Sequence, residues 1–346
     1  MKKNYFLISL SLFLIFVNSE SFAQDFENAG TYMGFIGKQH ETIAKRFLAY
    51  NSASSHGKKA AKVESLKGKL LDEIQESRMN ISGMPLFKND KAYRDSAVSF
   101  MKLYFNALNE DYSKIVNMQE IAEQSYDNME AYMLAKEMVD KKMDDASDEL
   151  QAEQKKFASN HNVTLLNGTD EIGEMMKKVE ETGNYYRPIY LIFYKSFKQE
   201  AYMMDAIEKK NINGIEQNRN TLQQYAQDGL AQLEKFSSFK GDNFLIVNCK
   251  RLLQFYVKET TDKIPQVSDY FLKEEAFEKM KKEYDKKSDP TKEDVAAFNK
   301  MVKELNSAVN TYNSNNNSLN ETRGQLIDNW NSVVDAYFDN HMPTYN

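Results

Sequence analysis

The chain has little of the residues that break helices or cross-link loops. Its 346 residues include 13 Gly, 5 Pro and a single Cys. Glycine and proline together reach less than half of their usual share, which excludes collagen-like and Pro/Gly-rich disordered classes and argues against a loop-rich β-sandwich. One cysteine cannot form an internal disulfide or a multi-cysteine zinc site, and Cys249 lies among apolar neighbours that predict burial. With 21 Phe and 20 Tyr, the chain is too aromatic to be disordered.

The chain also has fewer basic than acidic residues. It contains 45 Lys and Arg and 51 Asp and Glu, which gives a net charge of −6. This balance is too acidic for a general nucleic-acid binder. None of the four histidines lies three or four residues from another, so no helix presents a histidine pair to a metal. We therefore expect no metal and no cofactor. We also expect no catalytic residue, because serines without a positioned histidine provide no nucleophile. We also expect His40, beside Glu41, to lie on a solvated face.

Residues 1–23 are typical of a secretory signal peptide. Lys2 and Lys3 precede an apolar stretch over 6–17, and small residues occupy the positions that a signal peptidase reads. As a helix this stretch would span about 18 Å, which is too short for the ~30 Å hydrocarbon core of a membrane. We therefore predict cleavage after Ala23, an exported protein, and no membrane span after cleavage.

Nearly all of the chain after residue 30 has helical periodicity. Apolar residues recur at spacings of three and four from Ile121 to Phe157 and again from Phe298 to Tyr337. The second stripe passes through Asn316, and a polar residue on a helix seam can set register. We predict one continuous helix there, with a break at 313–317 as the alternative because asparagine is a weak helix former. Further helices are predicted at about 31–54, 59–83, 91–117, 186–209, 213–236, 243–262 and 267–286.

Adding 152 to the residue numbers brings the two halves of the chain into register over residues 50–104. Residues 87–90 then correspond to 239–242, where Asp90 and Asp242 fit helix N-caps. A constant period predicts a repeated structural unit. We therefore predict an all-α fold of two tandem four-helix-bundle-like halves, related by internal duplication, each with a long C-terminal helix. The predicted domains are a signal peptide (1–23), a first bundle (24–161), a glycine-containing connector (162–183) and a second bundle (184–346).

The densest aromatic segment of the chain lies between residues 185 and 204. Spacing predicts a core stripe, and the stripe comprises Tyr190, Phe193, Phe197, Ala201 and Met204. Other tyrosines of the segment cannot all share that stripe, and a buried tyrosine usually needs a hydroxyl partner. We predict a core role for this segment, with the alternative that some of these tyrosines border a groove for an apolar or sugar-like ligand. These candidate ligand-binding residues are Tyr185, Tyr186, Tyr194 and Tyr202.

Two stretches carry a resemblance to a known family. Tyr-Arg-Asp-Ser at 93–96, continuing through 104–106 and 109–112, and Ser-Phe-Lys-Gln-Glu-Ala-Tyr at 196–202 resemble an exported, all-helical surface-protein family of unknown function from spirochaetes and Bacteroidetes. The resemblance covers most of the mature chain. It implies the periplasm or cell surface of a Gram-negative bacterium and transfers no catalytic residue.

Together these patterns predict a non-enzymatic cell-envelope protein that acts as a helical binding or scaffold module for another envelope protein. The alternative is a module that binds a small apolar or sugar-like ligand in a pocket near the 185–204 helix.

Overall fold

The computed structural model describes residues 26–111, 125–165 and 171–345, and every regular element within these ranges is a helix. The predicted all-α fold class is therefore confirmed for the described residues. Their eight helices are α1 (Ala29–Ser55), α2 (Ala60–Ser82), α3 (Ala92–Asn106), α4 (Tyr126–Asn160), α5 (Glu171–Glu208), α6 (Ile212–Leu233), α7 (Phe244–Lys258 continued by Ile264–Tyr284) and α8 (Lys292–His341). A π-helical turn, Ala107–Asp111, follows α3, and a second, Glu259–Lys263, joins the two parts of α7.

Side-chain caps set where several helices begin. Asn28 Oδ1 accepts hydrogen bonds from the N–H groups of Gly30 and Thr31, at 2.7 and 3.2 Å, at the start of α1. Asn211 Oδ1 accepts from the N–H of Gly214 at 3.0 Å at the start of α6. These N–H groups have no partner within their own helix, so each cap stabilises its first turn by roughly 1 kcal/mol.

The same tight turn precedes α3 and α7. Phe87 and Asp90 exchange two backbone hydrogen bonds of 3.2 and 2.8 Å, and Phe239 and Asp242 exchange two of 2.7 and 2.8 Å. The two residues between each pair adopt positive φ, which bends the chain back on itself. Their φ values are 48° at Lys88, 66° at Asn89, 51° at Lys240 and 89° at Gly241.

Both aspartates of these turns support the helix that follows. Asp90 Oδ1 accepts from the N–H of Ala92 at 3.0 Å, and Asp242 Oδ1 accepts from the N–H of Phe244 at 2.8 Å. The carboxylates accept from first-turn N–H groups as predicted, but the aspartates are not the N-caps themselves, because the N-cap residues are Lys91 and Asn243, one position later.

Helices and turns recur at one constant spacing. α2 and α6 begin at residues 60 and 212, α3 and α7 at 92 and 244, and the π-helical turns at 107 and 259, so the members of each pair lie 152 residues apart. The spacing that the sequence predicted over residues 50–104 thus extends to the π-helical turns, which the apolar pattern did not reveal.

The chain divides into two compact units. The first contains the chain up to Tyr186 together with the residues from Asp335 onward, and the second contains Arg187–Val334. The first unit therefore holds α1 to α4, the beginning of α5 and the end of α8. The second holds the remainder of α5 and α8 together with α6 and α7.

An aromatic cluster forms part of the core of the first unit. Tyr32 of α1 stacks on Phe157 of α4 with ring centroids 5.5 Å apart, and Tyr93 of α3 lies 5.6 Å from the same ring. Phe87 of the turn contacts Phe157 and His161 at 5.4 and 4.8 Å. Such ring pairs contribute beyond the apolar area that they bury, so this cluster ties the turn to α1, α3 and the end of α4.

The core of the second unit depends on close helix approach. Phe193 of α5 stacks on Trp330 of α8 with centroids 4.5 Å apart. Gly229 of α6 allows close packing, because a Cβ there would lie 2.9 Å from Leu253 and 3.0 Å from Ile192. Cys249 of α7 is buried, as its apolar neighbours predicted, and burial raises the pKa of its thiol.

The structure differs from the predicted connector at 162–183. Gly173 and Gly183 lie inside α5, and Gly168 falls outside the described residues. Glycine costs a helix interior about 1 kcal/mol, but the segment carries a buried stripe, Ile172, Met176 and Val179, that outweighs this cost. The predicted second bundle, 184–346, differs as well, because the residues from Asp335 onward belong to the first unit.

Other helix boundaries agree with the sequence pattern in part. α1 matches the predicted helix at about 31–54 to within two residues at each end, and near its end Asn51 and Ser55 are buried and share a hydrogen bond of 3.1 Å. The predicted helices 243–262 and 267–286 are one helix, and the π-helical turn accommodates Pro265, which has no N–H to donate. The signal peptide and the start of the Ile121 stripe lie outside the described residues.

α8 is continuous through its asparagine-rich middle, as predicted. The buried residue there is Asn315, whereas Asn316 is only half-buried. Asn315 Oδ1 accepts from Lys263 Nζ at 2.9 Å, and its Nδ2 donates to Gln266 Oε1 at 2.8 Å. A polar residue that fixes register is therefore present, one position before the predicted one.

Candidate functional site

The four tyrosines proposed as ligand contacts divide between the two units. Tyr185 and Tyr186 lie together in the first unit, where their rings stack on Tyr337 at 6.1 and 6.4 Å. Tyr194 and Tyr202 lie in the second unit. Tyr194 is 1% exposed and packs as a core residue, while Tyr202 is 39% exposed. A ligand-contact role therefore remains a prediction for the more accessible Tyr202 and the half-buried Tyr185.

The core stripe of this segment is shifted from its predicted position. Tyr190 and Phe193 are buried, as predicted, but Ala201 is exposed and Met203 is fully buried in place of Met204. The burial of Gln199 and Glu200 shows that polar side chains share the inward face of α5 here.

His40 is buried, so the prediction of a solvated face is wrong. It extends the apolar stripe of Ile36, Ile43 and Phe47 on α1, and its ring lies 5.7 Å from that of Phe100. Its Nε2 has no hydrogen-bond partner. Burial disfavours the imidazolium form and lowers the pKa of His40 to about 4, so the side chain is neutral at pH 7.

His161 stands at the end of α4 beside the first tight turn. Its Nε2 lies 3.1 Å from Oδ2 of Asp90, the same carboxylate that accepts from the start of α3. The contact joins the end of one helix to the start of another. Among the residues that the structure describes, no group of three or more His, Cys, Asp or Glu side chains is placed to hold a metal ion.

The second unit contains a buried charge network of three residues from three helices. Arg323 of α8 donates from Nε to Oε1 of Glu200 on α5, and from Nη2 to Oε1 of Glu259 at 2.6 Å. Glu259 is the first residue of the π-helical turn in α7. We call Glu200, Glu259 and Arg323 the acid–arginine network.

The network is enclosed by protein. The side chains of Glu259, Glu200 and Arg323 are 0%, 4% and 17% exposed. Further contacts hold the guanidinium in place, since Nη1 donates to Asn320 Oδ1 at 2.5 Å and the group lies 6.0 Å from the ring centre of Phe255. Burying ions is costly unless they are paired. Here both carboxyl groups are paired with the same cation, the guanidinium of Arg323.

Burial of the network disfavours the ionised form of Glu259. Burial, and then the neighbouring Glu200 carboxylate, raise the pKa of Glu259 to about 8 despite the opposing effect of Arg323. Burial also raises the pKa of Tyr256, one helical turn before Glu259, with Glu200 adding to the effect. Perturbed carboxyl groups of this kind mark candidate functional positions, and π-helical turns are frequent at such positions.

The apolar stripe of α8 gave one indication in the sequence that this network exists. Arg323 falls on the stripe between Leu319 and Leu326, and a charged residue at a core position requires a buried partner of opposite charge. Nothing in the local spacing identified Glu200 or Glu259 as that partner, because both lie far from Arg323 in the sequence.

No protein-family model matches the chain, and neither a curated protein nor a solved structure is similar to it. Within the described ranges, no helix combines the length and apolar character that crossing a bilayer requires.

Proposed function

We propose that this chain is an exported, non-enzymatic helical protein of the cell envelope, which acts as a binding or scaffold module through its surfaces. The observation that carries the proposal is the enclosure of the acid–arginine network. Its charged atoms bind one another across α5, α7 and α8 and are shielded from solvent. This arrangement favours a role in holding helices together over a reaction with a substrate, which would have to reach the carboxyl groups.

The second part of the proposal is that the two tandem halves of the chain arose by internal duplication and are four-helix-bundle-like, each with a long C-terminal helix. Support comes from the constant spacing of 152 residues between α2 and α6, between α3 and α7, and between the two π-helical turns. The paired tight turns and their aspartates share that spacing. Coincidence of helices, turns and π-helical turns at one offset is what a repeated unit predicts.

The proposed location is the periplasm or the cell surface. Its support is the signal-like sequence of residues 1–23 and the resemblance to exported surface proteins. Fractionation of the producing bacterium, with protease added to intact cells, tests it. We expect the chain in the envelope fraction with Gln24 as its first residue by mass spectrometry. Recovery from the cytoplasm with Met1 and the apolar segment intact would contradict export.

The scaffold proposal is tested against ligand binding by a thermal-shift screen with divalent metals, sugars and lipids. A ligand present at 100 times its dissociation constant stabilises the folded state by about 2.7 kcal/mol. We expect no such shift from the panel. A shift with a sugar or lipid that Tyr202→Ala abolishes, while Tyr225→Ala leaves it intact, would instead establish a small-ligand module near α5.

A further inference from the structure

In the acid–arginine network of the second unit, a single cation joins three helices. Arg323 bonds to Glu200 across 123 residues of sequence and to Glu259 across 64. Its position on α8 means that both carboxyl groups act on this helix, one from α5 and one from α7. Loss of either bond would weaken the attachment of α8 within the unit.

The charges of the network do not balance when both carboxyl groups are ionised. Two carboxylates and one guanidinium give a net charge of −1 in a part of the core where the Glu259 side chain is wholly inaccessible. An uncompensated charge in that environment is strongly unfavourable. With one proton bound, the network is neutral and Arg323 retains an acceptor on each glutamate. Oε2 of Glu259 has no hydrogen-bond partner, so no donor compensates a charge on that atom.

The other helices that pack here bring no further compensating charge to Glu259. The groups that act on its carboxyl are Glu200 of α5 and Arg323 of α8. On α6, Glu216 and Arg219 pair with each other at 2.9 Å, and Glu216 also accepts from Ser268 Oγ at 2.7 Å. On α7 itself, Lys263 donates to Asn315 instead.

The first unit shows that the same local fold does not require the acid pair. The positions 152 residues before Glu200 and Glu259 are Leu48 and Ala107, which are both buried. Tyr104, which lies 152 residues before Tyr256, is buried as well. A π-helical turn therefore forms with an apolar residue at its first position, and the ionisable pair in the second unit is a property beyond the needs of packing.

We propose that Glu200, Glu259 and Arg323 form a proton-controlled latch for α8 within the second unit. With one proton on the carboxyl pair, the latch is neutral and holds α8 against α5 and α7. Loss of that proton leaves a negative charge in the core and releases the neighbouring part of α8. This device makes the attachment of α8 responsive to the pH around the protein, and it is independent of which partner the surfaces bind.

The direction of the effect follows from proton linkage. The ordinary pKa of a glutamate is 4.5, whereas burial and the neighbouring Glu200 raise the pKa of folded Glu259 to about 8. Between these values the open form binds fewer protons than the closed form, so the closed form loses stability as pH rises. The equilibrium constant for opening increases by up to about tenfold per pH unit for one linked proton.

Hydrogen exchange of the full-length protein between pH 5 and 9, corrected for the intrinsic exchange rate, tests the latch. We expect the amides of α8 around Arg323 to lose protection as pH rises, while those of α6 change less. Glu259→Gln keeps an oxygen acceptor for Arg323 but cannot ionise, so we expect protection that no longer depends on pH. Glu216→Gln, which also removes a carboxyl group that bonds to α7, is the matched control and should respond like the wild type.

A second variant keeps the test decisive if Glu259→Gln folds poorly. The triple change Glu200→Leu, Glu259→Ala and Arg323→Met places the apolar residues of the first unit at the two acidic positions and removes the unpaired cation. We expect it to fold and to lose the pH response of α8. A Glu259→Gln or triple variant with the wild-type pH response, or wild-type protection that falls equally in α6 and α8, would overturn the proposal.

Discussion

At the scale of single residues, burial changes the chemistry of side chains whose type suggests a surface position. His40 is 8% exposed and continues an apolar stripe, although its neighbour Glu41 pointed to a solvated face. Because its ring stays neutral, it packs beside Phe100 as an aromatic residue. The same burial gives the folded protein a sensitivity to acid.

We predict that the first unit loses stability as pH falls from about 6.5 to about 4. An unfolded histidine binds a proton near pH 6.5, whereas folded His40 does so near pH 4. In this window the unfolded state binds more protons, so the free energy of unfolding falls by up to about 1.4 kcal/mol per pH unit. Denaturant titrations at several pH values measure this slope.

The variants for this test replace His40 with residues that cannot ionise. His40→Leu and His40→Ile should reduce the slope in the acidic window, and isoleucine is the residue found 152 positions later, at Ile192. An unchanged slope in both variants would show that another group controls the acid sensitivity.

At the scale of elements, helix α8 shows how tertiary contacts sustain a weak local sequence. Asparagines in the middle of a helix lower its intrinsic stability, yet the helix runs unbroken from Lys292 to His341. Asn315 receives a bond from Lys263 and gives one to Gln266, both on α7. These two hydrogen bonds offset the cost of burying the Asn315 side chain, and they fix the register of α8 along α7.

We predict that Asn315→Ala destabilises the second unit by about 1–3 kcal/mol, because it leaves Lys263 and Gln266 without these partners. Asn317→Ala is the control, since Asn317 is exposed on the same helix. Its effect should stay within about 0.5 kcal/mol. Thermal unfolding compares the two, and equal losses would show that Asn315 acts through helix propensity alone.

At the scale of the whole molecule, the first unit is built from two separate parts of the chain. Tyr337 Oη donates to the carbonyl of Thr182 at 3.0 Å, and Thr182 Oγ1 donates to the carbonyl of His341 at 3.3 Å. The N–H of Tyr345 then donates to Ser52 Oγ on α1 at 3.0 Å. The last residues of the chain therefore complete a unit that begins with α1.

We predict that Met342→Ala destabilises the first unit by about 2 kcal/mol or more, because Met342 is buried there and its truncation leaves a cavity. Asn340→Ala, at an exposed position two residues earlier, should change stability by less than about 0.5 kcal/mol. Hydrogen exchange of α1 reports the effect. Equal protection of α1 in both variants would show that the chain terminus does not support this unit.

The sequence by itself determined the helical class, the positions of most helices and the two aspartate-supported turns. These features depend on residues within a few positions of one another, such as Phe87 with Asp90 and Phe239 with Asp242, whose spacing is visible in a linear pattern. The constant offset of 152 residues was visible because these local patterns recur in the same order in both halves of the chain. The sequence interpretation gave too much weight to Gly173 and Gly183 as helix-breaking residues. Both lie inside α5, because the buried apolar stripe of this segment stabilises the helix.

Only the tertiary structure decided which polar residues meet in the core and which chain segments share a unit. Glu200, Glu259 and Arg323 are distant in sequence, and their type alone predicts solvent exposure. Their meeting depends on how three helices pack, because burial energy is summed over whole helix faces and can carry a few charged side chains inward when these satisfy one another. The placement of the chain terminus in the first unit follows from the same long-range packing, which no local spacing encodes.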